Sequence, residues 1–255
     1  MKLALSNFAW DDENQDLCFK TLKDNRVDNV EIILNKINGK IDITNSELIN
    51  YKEFINSYGL NIYSIQSLFY NTLVTNMGDV NLIIKIFKKI IKYAKILNVK
   101  VLVFGSPSIR KQTFKYEESI KNIFRILDKM LENTGIILVI EPNSRIYKGE
   151  FFIKVDEIVS FIEKNGLINI KTMIDTHNLI SEGVCPIKTL HKNKKYINHI
   201  HISELGLLPL KDKTFHIKFS KTLKDINYDK IITYEVINNE STLESIKIFS
   251  DIYNF

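Results

Sequence analysis

Four apolar runs in this sequence each finish on a side chain able to hold a metal ion: Glu141 in LVIEPN, Asp175 in TMIDTHN, His201 in HIHISE and Glu235 in TYEVI. Successive members stand 34, 26 and 34 residues apart, each interval close to one strand-plus-helix unit. Three carboxylates and one imidazole carry a formal charge of −3. Crowded together they could not all stay ionised, because like charges raise one another's pKa. A divalent cation would resolve that conflict. The oxygen-rich set suits Mn2+ or Mg2+, with Co2+ also compatible, and no thiolate argues for structural zinc. The bland reading is that isolated acids at strand ends merely meet solvent. Any one of them fits it, but four in succession fit it poorly.

The stretch NHIHISEL places His199 and His201 two residues apart in an apolar run. On a strand both rings point the same way. Alone, the octapeptide reads as a pair of hydrogen-bonded core histidines. Beside the other strand ends, His201 reads as a ligand and His199 as its support one layer deeper. In that layer Val139, Met173 and Thr233 also face inward, and His199 and Thr233 are able to orient the groups above them.

Such residues converge only if the elements carrying them do. Short β-branched runs alternate with longer helical patterns along the chain. The strand candidates are 2–6, 29–34, 61–67, 100–105, 136–141, 168–175, 197–203 and 231–237. Helical patterns fall near 14–25, 46–58, 79–97, 116–133, 155–165, 186–194, 215–225 and 240–252. Asn45-Ser46-Glu47, Asp79 and Ser241 are helix-start residue types; Gly59, Asn98, Gly135 and Asn165-Gly166 are helix stops. Eight strand–helix units in this length predict an α/β fold, a single (β/α)8 TIM barrel over residues 1–255, with chemistry at the C-terminal strand ends. A doubly wound sheet would need a Gly-rich phosphate turn after the first strand, and SNFAWDDEN is not one.

The 255 residues are 45% hydrophobic and 25% charged, enough for a large core. The net charge of +5 comes from lysines scattered through an Ile/Lys/Asn-rich background. With no dense basic block, nucleic acid is not an expected partner. Cys18 and Cys185 match no metal or redox spacing. They read as free thiols of a cytoplasmic protein. The N-terminal apolar run is too short for a signal peptide, and nothing approaches the length of a membrane span. The lysine-rich stretch 82–97 reads as an outer helix with its Ile/Leu stripe inward, not as a membrane-surface helix.

The ordered set SNFAWD, NVEI, FGSPSIRK, EPNSRIY, IDTHN, HIHISE and YEV, spread over the whole chain, resembles the xylose isomerase-like sugar phosphate isomerase/epimerase superfamily. The resemblance implies a divalent metal held by Glu141, Asp175, His201 and Glu235, with Glu141 and Glu235 as the catalytic acid–base pair. It implies proton transfer through a metal-stabilised enediolate of a small sugar or sugar phosphate. Inversion at one carbon would make the enzyme an epimerase, and transfer to the neighbouring carbon an isomerase. The pattern departs from ketose epimerases of that superfamily at two positions. Asn178 stands where they tend to have His, with His177 one residue earlier, and Leu207 stands where they place Arg.

The substrate-binding expectations are therefore drawn from other strand ends. Arg110, Lys111 and Arg145 are candidate anchors for a phosphate or carboxylate. Trp10, Gln66 and Tyr147 are candidates to wall a sugar face, and Asn178, His199 and His216 complete the set. A keto-sugar or cyclitol dehydratase would use the same enolate chemistry. An endonuclease IV-like DNA-repair enzyme is disfavoured, because its three-metal cluster draws histidines from the third and fourth strands and no His precedes His177. A non-catalytic sugar-binding barrel is the third alternative. Barrels of this type often pair, so a homodimer is compatible.

Overall fold

In a computed structural model, which describes residues 1–111, 116–210 and 213–254, the strands close into a parallel barrel in the order β1 to β8. The chain runs β1 (Lys2–Ser6), α1 (Gln15–Asp24), β2 (Asn29–Ile33), α2 (Asn45–Ser57), β3 (Asn61–Gln66), α3 (Val80–Leu97), β4 (Val101–Phe104) and α4 (Tyr116–Leu131). It continues through β5 (Ile137–Ile140), α5 (Val155–Asn165), β6 (Ile170–Asp175), α6 (Thr176–Ser181) and α7 (Pro186–Asn193). The last elements are β7 (Ile197–Ser203), α8 (Lys213–Asp225), β8 (Ile231–Glu235) and α9 (Thr242–Tyr253). The predicted (β/α)8 barrel is what forms.

Local chemistry explains several boundaries. Helix α2 begins at a capping box: Thr44 Oγ1 accepts from Glu47 N at 3.2 Å, and Glu47 Oε2 accepts from Thr44 N at 2.7 Å. Helix α3 buries Ile83, Ile86, Phe87, Ile90, Ile91, Ala94 and Leu97 and leaves Lys85, Lys88, Lys92 and Lys95 exposed. It stops where Asn98 turns left-handed at φ 60° and its N–H bonds back to Ala94 and Lys95. No helix among the described residues is long and apolar enough to cross a membrane.

Asp79 and Ser241 stand at the expected N-cap positions of α3 and α9, but neither side chain makes a capping hydrogen bond. The Asp79 carboxylate turns back to accept from Thr75 N at 2.9 Å and Thr75 Oγ1 at 3.1 Å. Helix α6 went unread because its N-cap is Asp175, whose Oδ1 accepts from Asn178 N at 2.6 Å.

The core has two parts. Between the sheet and the helices lies the large apolar layer that includes Phe104, Phe124 and Phe249. Inside the barrel a small plug of Val101, Val103, Val139 and Met173 fills the floor. Above that plug the lining turns polar. Register sets Met173 beside His199, Asp175 beside His201, His201 beside Thr233, and Ser203 beside Glu235. A register shift after Val30 brings Glu31 of β2 beside Ser64 of β3.

Candidate metal centre

The ends of β5, β6, β7 and β8 bring Glu141, Asp175, His201 and Glu235 together. One potential ligand atom from each lies within 4.8 Å of the others. His201 Nδ1 is 3.0 Å from Glu235 Oε2, 3.8 Å from Glu141 Oε1 and 3.9 Å from Asp175 Oδ2. His201 is wholly buried, and Asp175 and Glu235 nearly so.

Two of the three carboxylates are aimed by their surroundings. Asp175 Oδ1 accepts from Asn178 N and from Ser203 Oγ at 2.9 Å, which leaves Oδ2 toward the cluster. Glu141 follows β5, where its own N–H donates to Phe104 O at 3.1 Å. Its Oε1 accepts from Asn178 Nδ2 at 3.3 Å. Its other oxygen occupies space that exists only because residue 105 is glycine: a Cβ there would fall 2.2 Å from Glu141 Oε2.

Electrostatics match this crowding. Burial, followed by the charges of Asp175 and Glu235, raises the Glu141 carboxyl, against the lowering pull of His201 and Arg110. Burial and Glu235 likewise raise Asp175. Burial alone would lower His201, but Glu235 and Glu31 outweigh it and hold the imidazole well above its ordinary value. A cluster that resists full ionisation, built of three oxygen donors and an imidazole nitrogen, fits a hard divalent cation.

The predicted substrate shell fares differently. The Arg110 side chain is fully buried: Nη1 donates to Glu141 O at 2.7 Å, Nη2 donates to Phe104 O, and the guanidinium lies 4.8 Å over the Phe104 ring. It ties the ends of β4 and β5 and does not reach out as an anion anchor. Arg145 is exposed but paired with Glu182 at 2.5 Å; Glu182 also accepts from Arg145 N and Ser144 Oγ. Lys111 is exposed.

Trp10 packs edge-on against Phe19 at 5.1 Å and is 6% exposed. Its role is packing beneath α1. Gln66 is buried and donates to Ser6 Oγ at 2.5 Å. Asn178 is spent on Glu141 and on Ser144 N, which donates to its Oδ1 at 3.2 Å. His199 lies one layer below the cluster, and His216 is buried between α8 and α9, with Nδ1 2.8 Å from Tyr253 OH and Nε2 3.3 Å from Glu204. Leu207 lies in the loop after β7, where its carbonyl accepts from Ile237 N at 2.8 Å.

Tyr147 stands 6.2 Å from His177, ring to ring. Burial, then the charges of Asp175, Glu141 and Glu235, push its hydroxyl up to about 12. His177 is 8% exposed, and its Nε2 meets no partner among the described residues.

Two residues of the centre escaped sequence reading. Glu31 of β2 is fully buried, with Oε1 2.8 Å from His201 Nε2 and Oε2 3.0 Å from His199 Nε2. Its signal was a lone acid inside the apolar run NVEII. Gly105 is the other, and its signal was the glycine closing KVLVFG.

Comparison with known proteins agrees with this architecture. A D-psicose 3-epimerase from Enterocloster bolteae is 26% identical over 137 residues, covering 52% of this chain. The match spans 45% of that protein's length. A D-allulose 3-epimerase from Methylomonas sp. superposes with a TM-score of 0.77 at 15% identity, covering 100% of this chain and 97% of that one. A family 2 AP endonuclease from Brucella melitensis gives 0.79 at 15%, covering 98% of each chain. At such identities the two superpositions speak for the fold alone. The xylose isomerase-like TIM barrel pattern matches residues 19–252, and the chain belongs to that family.

Proposed function

We propose that this protein is a divalent-metal-dependent epimerase or isomerase of a small sugar or sugar phosphate, with Glu141 and Glu235 as its acid–base pair. The convergence of Glu141, Asp175, His201 and Glu235 within 4.8 Å carries the reading. The similarity to a D-psicose 3-epimerase supports it. Mn2+ or Mg2+ suits the donor set best. An ion held there would supply Lewis-acid stabilisation of the negative charge that develops on a sugar carbonyl oxygen.

The chain's own residues supply the proton chemistry. Glu141 and Glu235 come from β5 and β8, with β6 and β7 between them. One takes a proton from the carbon beside the carbonyl. The other returns a proton to the opposite face of that carbon, or the proton goes back to the neighbouring carbon. Asn178 and Gly105 keep Glu141 in place, while Tyr147 and His177 border the cluster and are the strongest candidates to touch the sugar.

The test is incubation of Mn2+-loaded protein with candidate keto-sugars in deuterated water. Deuterium at one carbon of a recovered epimer or isomer is the expected result. Loss of water with a new enone absorbance would assign a dehydratase instead. Absence of both across a broad sugar panel, or of any bound divalent ion, would overturn the reading.

A further inference from the structure

We propose that Glu31 is a positioning residue that sets the orientation of His201, so that Nδ1 faces the three carboxylates. The inference rests on the metal-centre reading above. A neutral imidazole offers one N–H and one lone pair, on different nitrogens. His201 Nε2 lies 2.8 Å from Glu31 Oε1, and Nδ1 points to Glu235, Asp175 and Glu141. When an ion takes the place of the Nδ1 hydrogen, an ionised carboxylate beside Nε2, which only accepts, keeps the remaining hydrogen on Nε2 and the Nδ1 lone pair turned to the ion.

Glu31 is itself held from both sides. Ser64 Oγ donates to Oε2 at 2.5 Å, and His199 Nε2 lies 3.0 Å from the same oxygen. The His199 ring stands 4.9 Å from that of His201 at 76°, which limits rotation of the upper ring. Glu31, Ser64, His199 and His201 are all wholly buried. A carboxylate so placed is expensive unless every oxygen is engaged. For packing alone, an apolar side chain would serve that position better.

The same three residues, Glu31, His199 and His201, also offer atoms within 4.8 Å of one another, as a second ion site would. The 2.8 Å contact of His201 Nε2 with Glu31 Oε1 is close but poorly aligned, so neither atom completes a hydrogen bond, and the titration below separates an orienting carboxylate from a second ion site.

The experiment compares wild type with E31L by Mn2+ titration calorimetry and by 15N NMR of histidine-labelled protein. Wild type is expected to bind one Mn2+ per chain. E31L should fold and bind it about 10- to 100-fold more weakly, the usual cost of losing an orienting partner. The His201 Nε2-bound proton should give a hydrogen-bonded signal in wild type that shifts or disappears in E31L. If E31L fails to fold, E31Q carries the same expectation, because its single oxygen cannot serve two imidazoles. Unchanged Mn2+ affinity in a folded variant overturns the proposal. So does a second Mn2+ in wild type that vanishes while the first keeps its affinity. If wild type binds no divalent ion, the metal reading fails separately, and an unaltered His201 signal in the variant then overturns the role of Glu31.

Discussion

Glu141 is the residue most dependent on its neighbours. Asn178 donates to one of its oxygens, and the other lies where any side chain at position 105 would begin. Gly105→Ala should therefore leave the barrel folded while displacing the Glu141 carboxylate. The expected outcome is weakened Mn2+ binding with near-native circular dichroism, measured by titration. Glu141→Gln and Glu235→Gln each remove a proton-transfer group and should lower the deuterium-exchange rate by about 100-fold or more. Asp175→Asn keeps an N-cap for α6, since Asn caps as well as Asp. Its effect should fall on ion affinity and leave thermal stability nearly unchanged. Asp175→Ala should damage both, a contrast that paired melting and titration experiments resolve.

Among the secondary-structure elements, α2 gives the clearest acid-side prediction. The Glu47 carboxyl is held down at about 2, first by the Asn38 side chain and then by the Thr44 backbone and hydroxyl. Its folded value lies below its ordinary 4.5, so the stabilisation is fully present above that value and is lost as pH falls toward 2. The stability difference between wild type and Glu47→Gln, followed by denaturant unfolding, should be flat near neutrality and shrink across that acid window. Thr44→Ala removes the reciprocal cap and should cost about 1 kcal/mol at neutral pH. Arg110 belongs to this scale too. Tying Phe104 O to Glu141 O, it sets the spacing of the β4 and β5 ends and only indirectly the site.

For the molecule as a whole, closing the barrel gathers carboxylates that repel one another, and an ion that binds only the folded state offsets that repulsion. Free Mn2+ at 100 times its dissociation constant should stabilise the fold by about 2.7 kcal/mol. The corresponding rise in melting temperature should disappear with a chelator. A chain with Glu141, Asp175 and Glu235 all changed to amides should show no such rise. An equal response in that triple variant would mean that Mn2+ binds elsewhere.

Strand order, the alternation with helices and the three acids and one imidazole at strand ends were legible from residue types and spacing, because hydrophobic periodicity and turn chemistry are local properties. The boundaries of β1 and β7 agree to the residue. What only the tertiary structure decided is which polar groups are already spent. Arg110, Arg145, Gln66 and Asn178 looked available for a substrate, yet each meets a partner from a distant segment. Glu31 lies 168 residues before His199, and β2 and β7 are not neighbours in the sheet. Their side chains meet across the barrel interior, a contact created by closure and register that no local pattern encodes.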